Sequence, residues 1–189
     1  MSAFLLHLLR HGAPEIPGRM IGHTDVASTP AGIEACRVRA GPLAIDHIVS
    51  SDLSRAERAA SEIARDRALA ATIDPRWREL HFGDWEGRSS KDLDEAAIGA
   101  FWDDPDANPP PHGERWSDLV NRVTAALGDL EPQNTLVVTH GGAMRATLAI
   151  LCGLSQRQCW AFDLPYAALL SLRVWPGAPS TAQIVALVS

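Results

Sequence analysis

The sequence has 189 residues, which suffices for one domain with a sizeable core and is short for two. Hydrophobic residues make up 46% of the chain, which argues against disorder, and no apolar run approaches the roughly 20 residues of a membrane helix. The formal net charge of −6 disfavours a nonspecific nucleic-acid binder. We therefore expect a single domain over residues 1–189, with neither nucleic acid nor membrane as a partner.

The cysteines and histidines form no local metal-binding pattern. Cys36, Cys152 and Cys159 are odd in number and include no CxxC pair, which favours reduced thiols and a cytoplasmic location. The seven histidines include no HExxH and no His-x-His. We therefore predict no metal and no cofactor, although dispersed ligands could still assemble in three dimensions.

The first half of the chain is predicted to alternate strands and helices. An apolar run at 3–9, stopped by Arg10, His11 and Gly12, is typical of a strand buried on both faces. Thr29 and Pro30 form a helix-start pattern, a cap followed by proline. The elements predicted after the first strand are a loop at 12–28, a helix at 31–40, a strand at 46–50, a helix from about 54 to 69 and a short strand at 71–73.

The second half continues this alternation after an irregular segment. Four prolines in 103–113 predict an extended loop, which we interpret as a surface excursion and not a domain boundary. The other predicted elements are an irregular segment at 76–87, helices near 89–100 and 114–130, a strand at 135–139, a helix from Ala143, and strands at 168–175 and 183–188. This order predicts a three-layer α/β/α domain with a mostly parallel central sheet, in which the final strand pair could be antiparallel.

Two predicted strand ends carry the same chemistry. Arg10-His11-Gly12 ends the first strand, and His140-Gly141-Gly142 ends the strand at 135–139. If both strands are parallel and central, both histidines project from one sheet edge, where open α/β sheets bind ligands. The strand at 46–50 brings Arg55 to the same edge, at the start of a helix. Two histidines and two arginines at a helix N-terminus suit a tetrahedral dianion.

These stretches, with others, resemble the histidine phosphatase superfamily in its phosphoglycerate mutase-like branch. The matching segments follow the family order and lie at 9–12, 50–56, 79–87, 113–114 and 138–145. The Phe82-Gly83-Asp84-Trp85-Glu86-Gly87 motif, the proline-rich loop and the short length are most similar to the α-ribazole-5′-phosphate phosphatases of cobalamin synthesis. The resemblance implies a phosphoglycerate mutase-like fold and a phosphomonoester substrate.

The resemblance also implies roles for individual residues. His11 would attack phosphorus to give a phosphohistidine, with its other nitrogen donating to a carbonyl near Gly12. Glu79 would protonate the leaving oxygen and then deprotonate water. Phosphate would be bound by Arg10, His11, Arg55, His140 and Gly141. No metal is needed, because arginines and histidines supply the positive charge.

The rest of the substrate is expected to meet two segments. We predict that the loop at 19–25 and the segment at 89–113 form a lid, and that substrate contacts come from Arg19, Gly22, His23 and Trp85. Trp85, Phe101 and Trp102 could stack on a ring, or could simply pack in the core. Ala13, Pro14 and Pro17 stand where the family often has polar residues, which leaves the pocket rim and the substrate open.

Other functions stay open at this point. The nearest is a phosphoglycerate mutase-type phosphotransferase; hydrolysis is favoured because the chain lacks the longer insertions of those mutases. A metal-dependent hydrolase and a non-catalytic phosphate-binding module are the alternatives from other classes. The oligomeric state is likewise open between monomer and homodimer.

Overall fold

A mixed six-stranded sheet forms the centre of the computed structural model, which describes residues 2–189. Its order is β3-β2-β4-β1-β5-β6, with bounds β1 Phe4–Arg10, β2 His47–Ser50, β3 Ala71–Ile73, β4 Thr135–Thr139, β5 Leu169–Trp175 and β6 Thr181–Val188. Strands β3, β2, β4 and β1 are parallel, whereas β5 is antiparallel to both of its neighbours. The predicted mostly parallel sheet is confirmed, and the final strand pair, whose direction the sequence left open, is antiparallel.

The described helices are α1 Pro30–Ala40, α2 Ser54–Asp66, α3 Glu95–Asp103, α4 Trp116–Gly128, α5 Gly141–Cys152 and α6 Gln156–Cys159. The predicted helix at 89–100 begins only at Glu95, because Ser90–Asp92 is a 3₁₀ turn and Asp94 caps the helix through Ala97 N–H at 2.8 Å. The sequence prediction missed α6, which is four residues long and starts from a capping box at Ser155. None of the helices within 2–189 is long and apolar enough to cross a membrane.

Helices cover both faces of the sheet and bury two separate cores. Leu8 and Leu9 are both fully buried, but neighbouring residues of a strand face opposite sides. Leu9 packs in the core that holds Cys36 of α1 and residues of α2, whereas Leu8 packs with Leu119 of α4 and Met144 of α5. This confirms the three-layer arrangement and explains why the first strand is apolar without alternation.

The carboxyl ends of β1, β4 and β2 meet at one edge. Arg10 pairs with Thr139, and His11 N–H then donates to the Thr139 carbonyl at 2.9 Å, so His11 and His140 leave the sheet side by side. Gly12 lets α1 cross this edge closely. A Cβ at Gly12 would lie 2.1 Å from the carbonyl oxygen of Gly32, which is far inside contact distance.

Candidate active site

His11 is a buried imidazole with one nitrogen committed to the backbone. Its Nδ1 lies 2.8 Å from the carbonyl oxygen of Gly12. A carbonyl only accepts, so Nδ1 carries the proton and Nε2 carries a lone pair, as the resemblance implied. Burial, and then the charges of Arg55 and Arg10, hold the pKa of His11 well below its usual 6.5, against the opposing effect of the Gly12 hydrogen bond. The ring is therefore neutral at pH 7, with a free lone pair on Nε2.

Arg10 is fixed beside His11 by a carbonyl and an aromatic ring. Its Nη1 donates to the Leu164 carbonyl at 2.5 Å, and its guanidinium lies 4.5 Å from the ring centroid of Tyr166. The Tyr166 ring also lies 5.5 Å from the ring of His11. Nε of Arg10 is buried and has no hydrogen-bond partner within residues 2–189. The guanidinium thus keeps donor capacity for a ligand.

Arg55 lies in the first turn of α2 and is fully buried. Its Nη1 donates to the Thr24 carbonyl at 2.9 Å, and its Nη2 donates to the carbonyls of Ile21 at 3.2 Å and Gly22 at 2.5 Å. Its Nε donates to Nδ1 of His140 at 3.2 Å. Four of the five N–H groups of the guanidinium therefore have protein acceptors that fix its plane.

The Arg55 contact sets the tautomer of His140. Because Nδ1 accepts from Arg55, the proton sits on Nε2, which lies 2.9 Å from Oγ of Ser51. Burial, followed by the charge of Arg55, holds the pKa of His140 well below 6.5. The ring centroids of His11 and His140 are 5.1 Å apart. The site thus contains two adjacent neutral imidazoles between two guanidinium groups.

Glu79 binds the N-terminus of α5. Its Oε1 accepts from the N–H groups of Leu80 and Gly142 at 2.9 Å each, and its Oε2 lies 3.2 Å from Gly142 N. A Cβ at Gly142 would lie 2.1 Å from Oε1 of Glu79, so this position accommodates only glycine while the carboxylate stays in place.

Arg122 connects Glu114 to the backbone that leads to Glu79. It forms an ion pair with Glu114, at 2.7 Å between Arg122 Nε and Glu114 Oε1. Arg122 also donates to the carbonyls of Arg76, Arg78 and Glu79 at 2.7–2.8 Å. These bonds give the Gly113-Glu114 motif a structural role: it fixes the segment that presents Glu79.

A cavity of about 300 Å³ opens over these residues. Its charged lining consists of Arg10, Arg19, Arg55, Arg145 and Glu79, and His11 also lines it. Its aromatic lining consists of Phe82, Phe101, Trp102, Trp116, Trp160 and Tyr166. Among residues 2–189, no group of three or more His, Cys, Asp or Glu side chains is placed to hold a metal ion.

Three of the four predicted substrate contacts lie outside this lining; only Arg19 is part of it. Trp85 is 6% exposed and packs edge-on against Phe101 at 5.5 Å. The backbone N–H groups of Gly22 and His23 donate to Glu86, and the His23 ring bonds the Glu79 carbonyl at 3.0 Å. Trp85, Gly22 and His23 therefore contact the residues around the cavity and do not line the cavity itself.

The comparisons with known proteins agree on one family. A model of the histidine phosphatase superfamily (branch 1) matches residues 6–186. The chain belongs to this superfamily. The adenosylcobalamin/α-ribazole phosphatase of Escherichia coli K12 is 33% identical over 169 residues, which is 83% of each chain. The glucosyl-3-phosphoglycerate phosphatase of Mycolicibacterium vanbaalenii is 36% identical over 168 residues, covering 79% of this chain and 74% of the relative.

A solved structure extends the match to nearly the whole chain. The native structure of a mycobacterial glucosyl-3-phosphoglycerate phosphatase superposes with a TM-score of 0.86 at 28% identity, covering 97% of this chain and 98% of that one. The family match and the phosphatase relatives show that the protein is a phosphatase enzyme. Its fold is phosphoglycerate mutase-like.

Sequence reasoning found the sheet edge at which Arg10, His11, Arg55 and His140 meet, but it missed much of the cavity wall. Arg145 lies within the matched 138–145 segment, and its spacing from Gly141 on one helix face was a usable signal. Tyr166 and Trp160 come from the segment 153–168, where no periodic pattern singled them out. Pro14, one of the departures from the family pattern, lines the cavity.

Proposed function

We propose that this phosphatase hydrolyses phosphomonoesters through a covalent intermediate on Nε2 of His11. The observation that carries the proposal is the 2.8 Å bond from Nδ1 to the Gly12 carbonyl, which leaves a lone pair on Nε2 of a neutral, buried ring. In the first step an N–P bond forms and the ester P–O bond breaks, while Glu79 gives its proton to the leaving oxygen. In the second, water attacks phosphorus, Glu79 takes the water proton, and the N–P bond breaks.

The surrounding groups support this chemistry electrostatically. Charge in phosphoryl transfer spreads over three equatorial oxygens, so the protein contributes mainly position and positive potential. Arg10, Arg55 and the N-terminus of α5 at Gly141 are the proposed phosphate donors. His140 would join them by exchanging its Ser51 contact for a phosphate oxygen. Losing one preorganised donor of this kind typically costs on the order of 3 kcal/mol.

Two substrate candidates fit different parts of the cavity. The aromatic lining suits a ring-bearing substrate such as α-ribazole 5′-phosphate, the substrate in the name of the E. coli relative. Arg145 favours a second candidate, a phosphorylated hydroxy acid such as glucosyl-3-phosphoglycerate. Its Nε is buried without a partner, and no carboxylate in residues 2–189 pairs with its guanidinium.

A rapid-quench experiment tests the mechanism. The protein is mixed with ³²P-labelled phosphomonoesters from a panel that includes both candidates, quenched in alkali, and examined for acid-labile phosphate on His11. We expect trapped phosphohistidine and free phosphate from wild type and neither from His11→Ala. Full activity of His11→Ala would overturn the mechanism.

A second comparison tests Glu79. The variant Glu79→Gln should lose far more activity on an alkyl phosphate, whose leaving oxygen needs a proton, than on p-nitrophenyl phosphate. Equal losses on both would remove Glu79 from the acid role. Adding a bisphosphoglycerate primer then separates hydrolysis from the mutase alternative, because only a mutase would be accelerated by it.

A further inference from the structure

Glu86 joins two segments behind the cavity. Its carboxylate accepts from the backbone N–H groups of His23 at 2.8 Å, Thr24 at 3.0 Å, Phe82 at 3.0 Å and Gly22 at 3.1 Å. Burial raises the pKa of Glu86, but these bonds outweigh burial and hold the pKa below its usual value. Each carboxylate oxygen of Glu86 accepts two hydrogen bonds, and the negative charge strengthens all four of them.

The same short segment faces Arg55 with its carbonyl groups. Residues 21–24, here called the 21–24 bridge, donate three N–H groups to Glu86 and offer three carbonyl oxygens to Arg55. The peptide groups that join residues 21 to 22 and 22 to 23 bond at both ends, so each lies between a carboxylate and a guanidinium. Opposite charges at the two ends polarise these peptide groups in the same direction, which strengthens both sets of bonds.

Gly22 shows how closely the bridge is built onto its anchor. A Cβ at Gly22 would lie 2.4 Å from Oε1 of Glu86 and 2.2 Å from the carbonyl oxygen of Leu80. The chain can follow this path only without a side chain. Glu86 is not among the cavity-lining residues, whereas Arg55 is. Any effect of Glu86 on a ligand must therefore pass through the residues that it holds.

We propose that Glu86 is a positioning residue for the phosphate site, acting on Arg55 through the 21–24 bridge. The proposal rests on the proposed function, because Arg55 is there a phosphate donor. Without the Glu86 carboxylate, the N–H groups of the bridge lose their acceptors and its carbonyls lose their fixed direction. Arg55 then loses the acceptors that set its plane. A misplacement of about 1 Å in such a group costs about 100-fold in rate.

A double-mutant cycle tests this coupling. In Glu86→Gln one oxygen becomes an NH₂ group that faces N–H donors, at unchanged shape. We expect Glu86→Gln to lower kcat/KM for p-nitrophenyl phosphate about 30-fold when it is introduced into the wild-type protein. In an Arg55→Met background the same substitution should lower it less than about twofold. Glu15→Gln, which removes an exposed carboxylate from the same loop, is the matched control and should change kcat/KM less than about twofold. Additive losses from Glu86→Gln and Arg55→Met would overturn the proposal.

Binding of inorganic phosphate, measured by calorimetry, separates this proposal from the proposed function. Glu86→Gln should weaken phosphate binding about tenfold, with no further weakening in the double variant. If phosphate binds in this way but wild type hydrolyses no phosphomonoester, the proposed function fails and the positioning role stands. If wild type hydrolyses esters and phosphate binding ignores Glu86, the positioning role fails alone. Should Glu86→Gln not fold, Glu86→Asp replaces it, and unchanged phosphate binding in that variant would likewise overturn the role.

Discussion

The backbone N–H of Gly142 donates to the carboxylate of Glu79, at 2.9 Å to Oε1 and 3.2 Å to Oε2. Gly142 is the second residue of α5, so the start of this helix sets the position of the proposed acid. The missing side chain is part of the arrangement, because a Cβ there would lie 2.1 Å from Oε1. A substitution at Gly142 should therefore affect the position of the Glu79 carboxylate and the stability of the helix in different ways.

Gly142→Ala should therefore reduce activity without unfolding the protein. Alanine is a better helix former than glycine, so the helix itself gains, but the new methyl displaces the Glu79 carboxylate. We expect kcat for an alkyl phosphate to fall about 100-fold, with a thermal midpoint at or above that of wild type. Gly99→Ala in α3, where a Cβ meets no atom of the described residues within 4 Å, is the control and should keep full activity. Equal activity of the two variants would contradict the assigned role of Glu79.

The pH dependence of catalysis should reflect the neutral His11. Because the pKa of His11 lies well below 6.5 in the folded protein, the nucleophile stays unprotonated as pH falls through 6.5. Once the ionisation of the substrate phosphate has been corrected for, we expect kcat/KM to stay level from pH 7.5 to below 6. Two esters whose phosphate groups differ in pKa distinguish substrate ionisation from the enzyme's. An acid limb near pH 6.5 that is the same for both esters would mean that His11 titrates normally.

Stability should show the same depressed histidine pKa values. His11 and His140 both have pKa values well below 6.5 when folded, so the unfolded chain binds more protons below pH 6.5. The free energy of unfolding should hence be level above pH 6.5 and fall as pH drops below it. Each such group contributes a slope of up to about 1.4 kcal/mol per pH unit. Denaturant titrations of wild type and His140→Asn measure this, and the slope should be shallower in the variant.

Sequence reasoning brought Arg10, His11 and His140 to one sheet edge on the condition that their two strands are parallel and central, and the structure meets that condition. Arg10, His11 and His140 stand at the ends of β1 and β4, and their proximity follows once those strands are adjacent. The cavity wall was less accessible to prediction. Tyr166 and Trp160 reach the site from 153–168 through tertiary packing, and the motif aromatic Trp85 packs against Phe101 instead. Likewise, nothing in the sequence pattern showed that the backbone N–H groups of Gly22 and His23 donate to Glu86.

Arg145 offers the sharpest test of substrate choice. Its guanidinium stacks on Trp160 at 4.2 Å, and its bonds to the Gly141 and Phe162 carbonyls are long, at 3.4 and 3.3 Å. Such a cation is available to a carboxylate on the substrate. 3-Phosphoglycerate and glycerol 3-phosphate differ only in carboxylate against hydroxymethyl, so their inhibition constants against p-nitrophenyl phosphate isolate this contact.

If Arg145 binds a carboxylate, wild type should prefer 3-phosphoglycerate by at least about tenfold, which corresponds to about 1.4 kcal/mol. Arg145→Met should bring the ratio of the two inhibition constants close to one, because the stem remains while the charge is gone. Arg157→Met removes an equal charge from the exposed surface of α6 and should leave the ratio as in wild type, since surface charges are screened over about 10 Å at 0.1 M salt. A wild-type ratio near one, combined with turnover of α-ribazole 5′-phosphate, would instead favour the ring-bearing substrate.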